Sequence, residues 1–154
     1  MNSRSLIACL LLCGSLFGCS STTTSGSETS AFVGTWKPTS GTETVTCGNQ
    51  PASTSQITDN ITWANSTTGS SIVLTSGTCN YTATVSGLTA TAAPGQTCAQ
   101  KDNQGNPITL TQNAFTFSLS ADGKTATASG SGSAVDGATS CTYTQSGNFQ
   151  KISN

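Results

Sequence analysis

The stretch from residue 115 to residue 128, FTFSLSADGKTATA, carries the clearest structural signal in the chain. Phe115, Phe117 and Leu119 alternate with hydroxyl side chains, which places the apolar groups on one face of a β-strand. The three residues Ala121-Asp122-Gly123 then supply a glycine where a short hairpin loop needs a left-handed residue. The stretch therefore predicts an antiparallel hairpin with one buried face.

The same alternation recurs on both sides of this hairpin. Residues 79–85 form a second alternating segment, and Ser86-Gly87 predicts a tight turn into residues 88–92. No apolar stripe with helical spacing exceeds two turns. We therefore predict an all-β fold with about eight to ten antiparallel strands, either a small up-and-down β-barrel or a two-sheet β-sandwich. The remaining strands are predicted around residues 32–36, 42–47, 56–63, 70–75, 107–112, 139–145 and 147–152.

The composition excludes several classes of function. Charged residues make up 7% of the chain, against roughly 25% in typical soluble proteins, and Ser and Thr make up about a third. Without histidine, the chain lacks Ser-His and Cys-His catalysis and the commonest zinc ligand. The carboxylates of Glu43 and Asp59 are expected on a solvated strand face or turn. We therefore expect neither an enzyme nor a protein with a metal or other cofactor.

The N-terminus has the parts of an export signal. A short segment with one positive charge, Arg4, precedes an apolar run from Leu6 to Phe17. That run is shorter than the about 20 residues that a membrane-spanning helix needs. It ends in Leu16-Phe17-Gly18-Cys19, which resembles the lipobox of bacterial lipoproteins.

This resemblance implies cleavage between Gly18 and Cys19 and attachment of a diacylglyceryl group to the Cys19 thiol. Residues 1–18 would be the signal peptide, residues 19–31 a lipidated Ser/Thr-rich flexible tether, and residues 32–154 a single folded domain. Serine at position 20 implies an outer-membrane location, with the domain on the periplasmic or the cell-surface face. The four lysines and six acids after residue 18 give too weak a charge to favour nucleic acid as a partner.

Four cysteines follow the tether, at positions 47, 79, 98 and 141. An even number in an exported domain predicts two disulfides. A four-thiolate zinc site usually has paired cysteines two to four residues apart, and the gaps here are much longer. Three disulfide connectivities remain open.

Gly34-Thr35-Trp36, at the start of the domain, resembles the Gly-x-Trp signature of lipocalins and avidins. The resemblance implies a barrel in which Trp36 closes one end. Lipocalins cover this tryptophan with an arginine near the last strand, and Lys151 is the candidate for that role here.

Two functions follow as hypotheses. In the first, the barrel binds a small apolar ligand in a cavity of roughly 300 Å³ or more, lined by Trp63, Tyr81 and Phe115. In the second, the outer sheet face is an adhesive or interaction surface for an envelope glycan or protein. This surface would need an exposed aromatic patch or a flat strand face.

Overall fold

Ten β-strands and one short helix make up the part of the chain that the computed structural model describes, residues 25–101 and 105–154. The predicted signal peptide, Gly18 and the predicted lipidation site Cys19 lie outside these residues. The elements are α1 (Ser25–Ser30), β1 (Gly34–Cys47), β2 (Ser53–Gln56), β3 (Ile61–Asn65), β4 (Ser71–Ser76), β5 (Cys79–Ser86), β6 (Thr89–Ala92), β7 (Gln96–Lys101), β8 (Pro107–Leu119), β9 (Thr125–Asp136) and β10 (Thr139–Ser153).

Eight of these strands form a closed antiparallel barrel. Strands β1, β3, β4, β5, β6, β8, β9 and β10 pair in that order, and β10 pairs back onto β1. The other two strands extend the walls: β2 pairs with β1 beyond the end of β3, and β7 pairs with β8 beyond the end of β6. The prediction of an all-β up-and-down barrel is confirmed, and the sandwich alternative is not adopted.

The hairpin predicted from residues 115–128 joins β8 to β9. Gly123 has a left-handed φ of 66°, a conformation that glycine adopts without steric cost. The Asp122 carboxylate accepts hydrogen bonds from the Ser120 hydroxyl at 2.6 Å and from the Lys124 amide at 3.0 Å. These bonds lower the pKa of Asp122 and fix the loop.

Several boundaries differ from the sequence prediction because strands bend without ending. The segments predicted separately at 107–112 and 115–119 are one strand, β8, with an irregularity between Gln112 and Ala114. An extra residue at such a bulge reverses the in-and-out alternation, so a single strand resembles two. The segments predicted at 32–36 and 42–47 merge into β1, which starts at Gly34 and has an irregularity between Pro38 and Ser40. The segments 139–145 and 147–152 merge into β10 without such an irregularity, because the pairing with β9 is continuous from Thr139 to Gln150. The strand predicted at 56–63 is wrong at its centre, because residues 57–60 lie between β2 and β3.

One end of the barrel is filled by aromatic side chains, and we call it the packed end. Phe117 is fully buried at its centre, and its ring centroid lies 5.1 Å from that of Trp36 and 5.5 Å from that of Trp63. Phe32 and Phe149 complete the cluster at 6.4 and 5.7 Å. These spacings are those of favourable tilted and edge-to-face ring pairs.

The segment before β1 closes the packed end. The Trp36 indole donates to the Phe32 carbonyl at 2.8 Å. The Lys151 ammonium donates to the Ala31 carbonyl at 3.0 Å and lies 5.6 Å from the Trp36 ring centroid. Thr29, in α1, is also buried. The flexible tether predicted for residues 19–31 is therefore wrong for residues 25–30, which form a helix whose end packs on the barrel.

Both predicted disulfides are present, and the structure selects one connectivity. Cys47 and Cys141 are directly opposite on β1 and β10, where the barrel closes, and we call their bond the seam disulfide. Cys79 and Cys98 form the β5–β7 disulfide, with Cα atoms 5.5 Å apart. Both lie toward the barrel end opposite the packed end.

Candidate functional site

A cavity of about 390 Å³ occupies the barrel interior beyond the packed end. Its apolar wall consists of Ile61, Leu74, Leu110, Phe115 and Phe149. Its polar groups come from Glu43, Gln56, Asp59, Tyr81, Gln100, Gln112, Tyr143 and Gln145. Gln56 and Asp59 are exposed, so this side of the cavity opens to solvent. The interior thus combines an apolar surface with a polar mouth.

Small residues on β9 provide the cavity volume. Ala126, Ala128, Gly130, Gly132 and Ala134 occupy alternate positions and therefore share one face of the strand. That face points inward, because Ala128 lines the cavity and a Cβ at Gly130 would meet the Phe115 ring. The small face of β9 leaves space that the large side chains of neighbouring strands fill only in part.

Gly132 allows one hydrogen bond to span three strands. It lies between Gln112 of β8 and Tyr143 of β10 in the sheet register, and a Cβ there would collide with the Tyr143 ring. Across this position the Tyr143 hydroxyl donates to Gln112 Oε1 at 3.3 Å. The Gln112 amide nitrogen donates to the carbonyls of Ala114 and Ser131. Tyr143 is therefore held against the cavity wall.

Tyr143 and Tyr81 are both more than nine-tenths buried. Burial, with a smaller contribution from the negative charges of ionised Tyr81 and Glu43, raises the pKa of Tyr143 to about 12. Burial also raises the pKa of Tyr81. Unlike Tyr143, Tyr81 makes no side-chain hydrogen bond within residues 25–101 and 105–154. Both phenols stay neutral at physiological pH, and the Tyr81 hydroxyl is available to a ligand.

Glu43 projects from β1 into the same space. It is opposite Gln145 of β10 and Ser55 of β2 in the register. Its carboxylate is half-buried and has neither a salt bridge nor a hydrogen bond within the described part of the chain. Burial raises its pKa. The expectation that Glu43 and Asp59 lie on a solvated face or turn is correct for Asp59, which is exposed between β2 and β3 at the cavity mouth. It is wrong for Glu43, which is half-buried and lines the cavity.

Gln96 holds β7 in place as part of the wall. Strand β6 pairs with β5 only from Ala83 onward, which leaves the edge of β5 at Thr82 unpaired. The Gln96 side chain covers that edge: its oxygen accepts from the Thr82 amide at 2.7 Å and its nitrogen donates to the Thr82 carbonyl at 2.8 Å. A side-chain amide thus replaces the backbone pairing that a continuous strand would supply, and the β5–β7 disulfide reinforces it.

The sequence-predicted site residues are distributed over both ends of the barrel. Trp36 and Lys151 are together at the packed end, where the Gly-x-Trp resemblance implied a plug. Of the predicted cavity lining, Tyr81 and Phe115 are confirmed. The prediction is wrong for Trp63, which is 1% exposed in the aromatic cluster and whose indole nitrogen has no hydrogen-bond partner among the residues that the structure describes. Sequence reasoning missed Gln112 and Tyr143.

Among residues 25–101 and 105–154 there is no cluster of three or more potential metal-binding side chains. No helix in the same ranges is both long enough and apolar enough to span a bilayer. Comparison with known proteins finds no family model that matches this chain and no similar curated protein.

Proposed function

We propose that this protein is an envelope protein, anchored by lipid at Cys19, whose barrel binds a small ligand in the cavity. The observation that carries the proposal is the volume of about 390 Å³ inside a closed barrel, since small-molecule sites typically occupy about 300–1,000 Å³. An apolar wall with a few convergent polar groups is the usual lining of such a site. The lining supports a ligand that is apolar over part of its surface and polar at one end.

The second hypothesis, an adhesive outer surface, has less support. Of the two features it could use, a flat strand face or an exposed aromatic patch, the second is missing from the described ranges, where every aromatic residue is buried. The exposed large apolar side chains Leu88, Val135 and Ile152 come from separate elements. Isolated exposed apolar residues of this kind are ordinary on soluble proteins. The cavity is therefore the better candidate for the functional site.

A cavity-filling variant tests the binding proposal. N-phenyl-1-naphthylamine, an apolar dye that fluoresces when shielded from water, should bind with a stoichiometry of one. Ala128→Leu adds three carbon atoms to the cavity wall and should weaken binding strongly. Ala128→Ser, which adds only one oxygen atom, should retain it. Binding that Ala128→Leu leaves unchanged, or no saturable binding to the wild-type protein, would count against the proposal.

The anchor has its own test. The Leu16-Phe17-Gly18-Cys19 motif, the low charge of the chain and the two disulfides support export and lipidation. Ser20 supports the outer membrane as the destination. The Cys19→Ala variant should remain an uncleaved precursor without attached lipid, whereas Cys9→Ala should be processed and lipidated normally. Normal processing and detergent partitioning of Cys19→Ala would refute the anchor.

A further inference from the structure

We infer that the ligand carries a positively charged ammonium group that binds at Glu43, joined to an apolar body that packs on Leu74, Phe115 and Phe149. The inference rests on the proposed function and specifies the ligand class. Three properties of the cavity lead to it: its charge, its unpaired polar groups and the arrangement of its aromatic rings.

The charge of the cavity is negative and uncompensated. Glu43 and Asp59 both line it, and no lysine does. The chain contains no histidine, and its single arginine is Arg4. An anionic head group would therefore meet carboxylates without any basic side chain to neutralise them. A cationic group would pair with the half-buried Glu43 carboxylate at reduced dielectric, where opposite charges attract more strongly than in water.

Unpaired polar atoms mark the position of the head group. Tyr81 is 5% exposed and lines the cavity, yet its hydroxyl has no hydrogen-bond partner in the described part of the protein. The hydroxyl is not sealed from solvent, since Trp63 Nε1 is the buried side-chain polar atom without a partner among the described residues; it faces the open volume of the cavity, where a ligand can take the place of water as its partner. An ammonium group has donors only, so it can be shared between the Glu43 carboxylate and the Tyr81 hydroxyl oxygen. Gln145, opposite Glu43, adds an amide oxygen as a further acceptor.

The aromatic rings favour the same charge. Tyr143 lies against the cavity wall, fixed by its hydrogen bond to Gln112. The electron-rich face of a tyrosine ring attracts cations, whereas it gives no advantage to an anion. Beyond this polar region the apolar wall continues to the packed end. The cavity therefore combines acidic and tyrosine side chains with an apolar wall that Phe115 and Phe149 connect to the packed end, as an apolar molecule with an amine at one end requires.

The Glu43 carboxylate lies on the inward face of β1, where an unpaired acid is costly unless a ligand pairs with it. Burial favours the protonated form of Glu43, and the titratable groups that line the cavity with it are Tyr81, Tyr143 and Asp59, none of which carries a positive charge at any pH. A bound cation would reverse this balance and keep the carboxylate ionised. Affinity for an amine should consequently fall as the pH is lowered and Glu43 becomes protonated.

The test uses three probes with one body and different head groups: 4-phenylbutylamine, 4-phenylbutanol and 4-phenylbutyrate. Titration calorimetry at neutral pH gives their affinities for the full domain, and amide NMR shifts identify the cavity residues that respond. We expect the amine to bind about tenfold or more tightly than the alcohol, because hydrogen bonds to charged groups contribute about 1.5–3 kcal/mol. The carboxylate probe should bind more weakly than the alcohol.

The variants assign this preference to one residue. Glu43→Gln preserves the shape of the side chain and should bring the amine within about threefold of the alcohol, with the affinity of the alcohol itself retained. Asp136→Asn removes an equal charge outside the cavity and should leave the preference intact. If the amine, alcohol and carboxylate bind equally, or if Glu43→Gln keeps the preference, the inference fails and the binding function stands. If no probe shifts the cavity resonances, both fail.

Discussion

Truncation of Phe117 should be the most damaging single change to the apolar core. Its ring contacts four others, those of Phe32, Trp36, Trp63 and Phe149, with centroids 5.1–6.4 Å away. A buried Phe→Ala change costs about 3–5 kcal/mol through lost transfer energy and the new cavity. Aromatic pairs add about 0.5–1.5 kcal/mol each, so we expect Phe117→Ala to cost about 5 kcal/mol, the top of that range.

Phe115→Ala is the matched control, because it removes the same atoms two residues away on β8. Among the described residues the Phe115 ring has one aromatic neighbour, Trp63 at 6.3 Å, and Phe115 also lines the existing cavity. Its removal enlarges a space that is already open and breaks fewer contacts. We expect a cost of about 3 kcal/mol, the lower end of the range for Phe→Ala.

Urea unfolding followed by far-UV circular dichroism gives both free energies. Because small domains are stable by only about 5–15 kcal/mol, Phe117→Leu serves as a milder change if Phe117→Ala does not fold. Ile152→Ala, at a half-exposed position, should change stability by less than about 0.5 kcal/mol. A Phe115→Ala cost equal to or above that of Phe117→Ala would refute the division of the barrel into a packed end and an open cavity.

Three further predictions concern the disulfides and the titratable groups. In the chain-entropy model the seam disulfide, across 94 residues, should stabilise the fold by about 4.7 kcal/mol, and the β5–β7 disulfide, across 19 residues, by about 3.3 kcal/mol. Urea unfolding of the two double Cys→Ala variants measures both losses. A larger loss of unfolding free energy without the β5–β7 disulfide than without the seam disulfide would contradict this. The raised pKa of Tyr143, about 12, means that its contribution to stability is present below the unfolded-state value of about 10 and is lost as the pH rises through 12. Absorbance titration should show a tyrosinate step near 12 that Tyr143→Phe lacks, and the reasoning fails if the step that Tyr143→Phe removes lies near 10 instead. Because burial raises the pKa of Glu43, its ionised form weakens the fold at neutral pH, so Glu43→Gln should raise the melting temperature at pH 7. That gain should disappear below the unfolded-state pKa of about 4.3. If Glu43→Gln melts at the same temperature as the wild-type protein at pH 7, or at a lower one, the burial of the Glu43 carboxylate is contradicted.

Local alternation predicted the fold class because most strands here have one buried face. The pattern of Cys79–Ser86 alternates strictly between buried and exposed in the structure. Alternation fails at a bulge, where the phase reverses, and Gln112 lies at such a point. Its burial and its bond to Tyr143 depend on Gly132 of a third strand, which no local pattern can reveal.

Other features of the cavity did leave a signal in the sequence. Ala126, Ala128, Gly130, Gly132 and Ala134 alternate with Ser and Thr over nine residues. Such a pattern indicates a strand whose inward face carries only small side chains and leaves space in the interior. Glu43 shares a strand face with Val45 and Cys47, as residues two and four positions apart do. Trp63 was misplaced because alternation gives the face of a strand but not the height of a residue along the barrel axis.

A crystal structure of the protein with bound 4-phenylbutylamine would test the central claim most directly. We predict the phenyl ring against Leu74 and Phe115, and the ammonium nitrogen about 3 Å from a Glu43 carboxylate oxygen, the usual length of a charge-assisted hydrogen bond. The amine bound only to the outer surface, or inside the barrel with its nitrogen away from Glu43, would contradict the account.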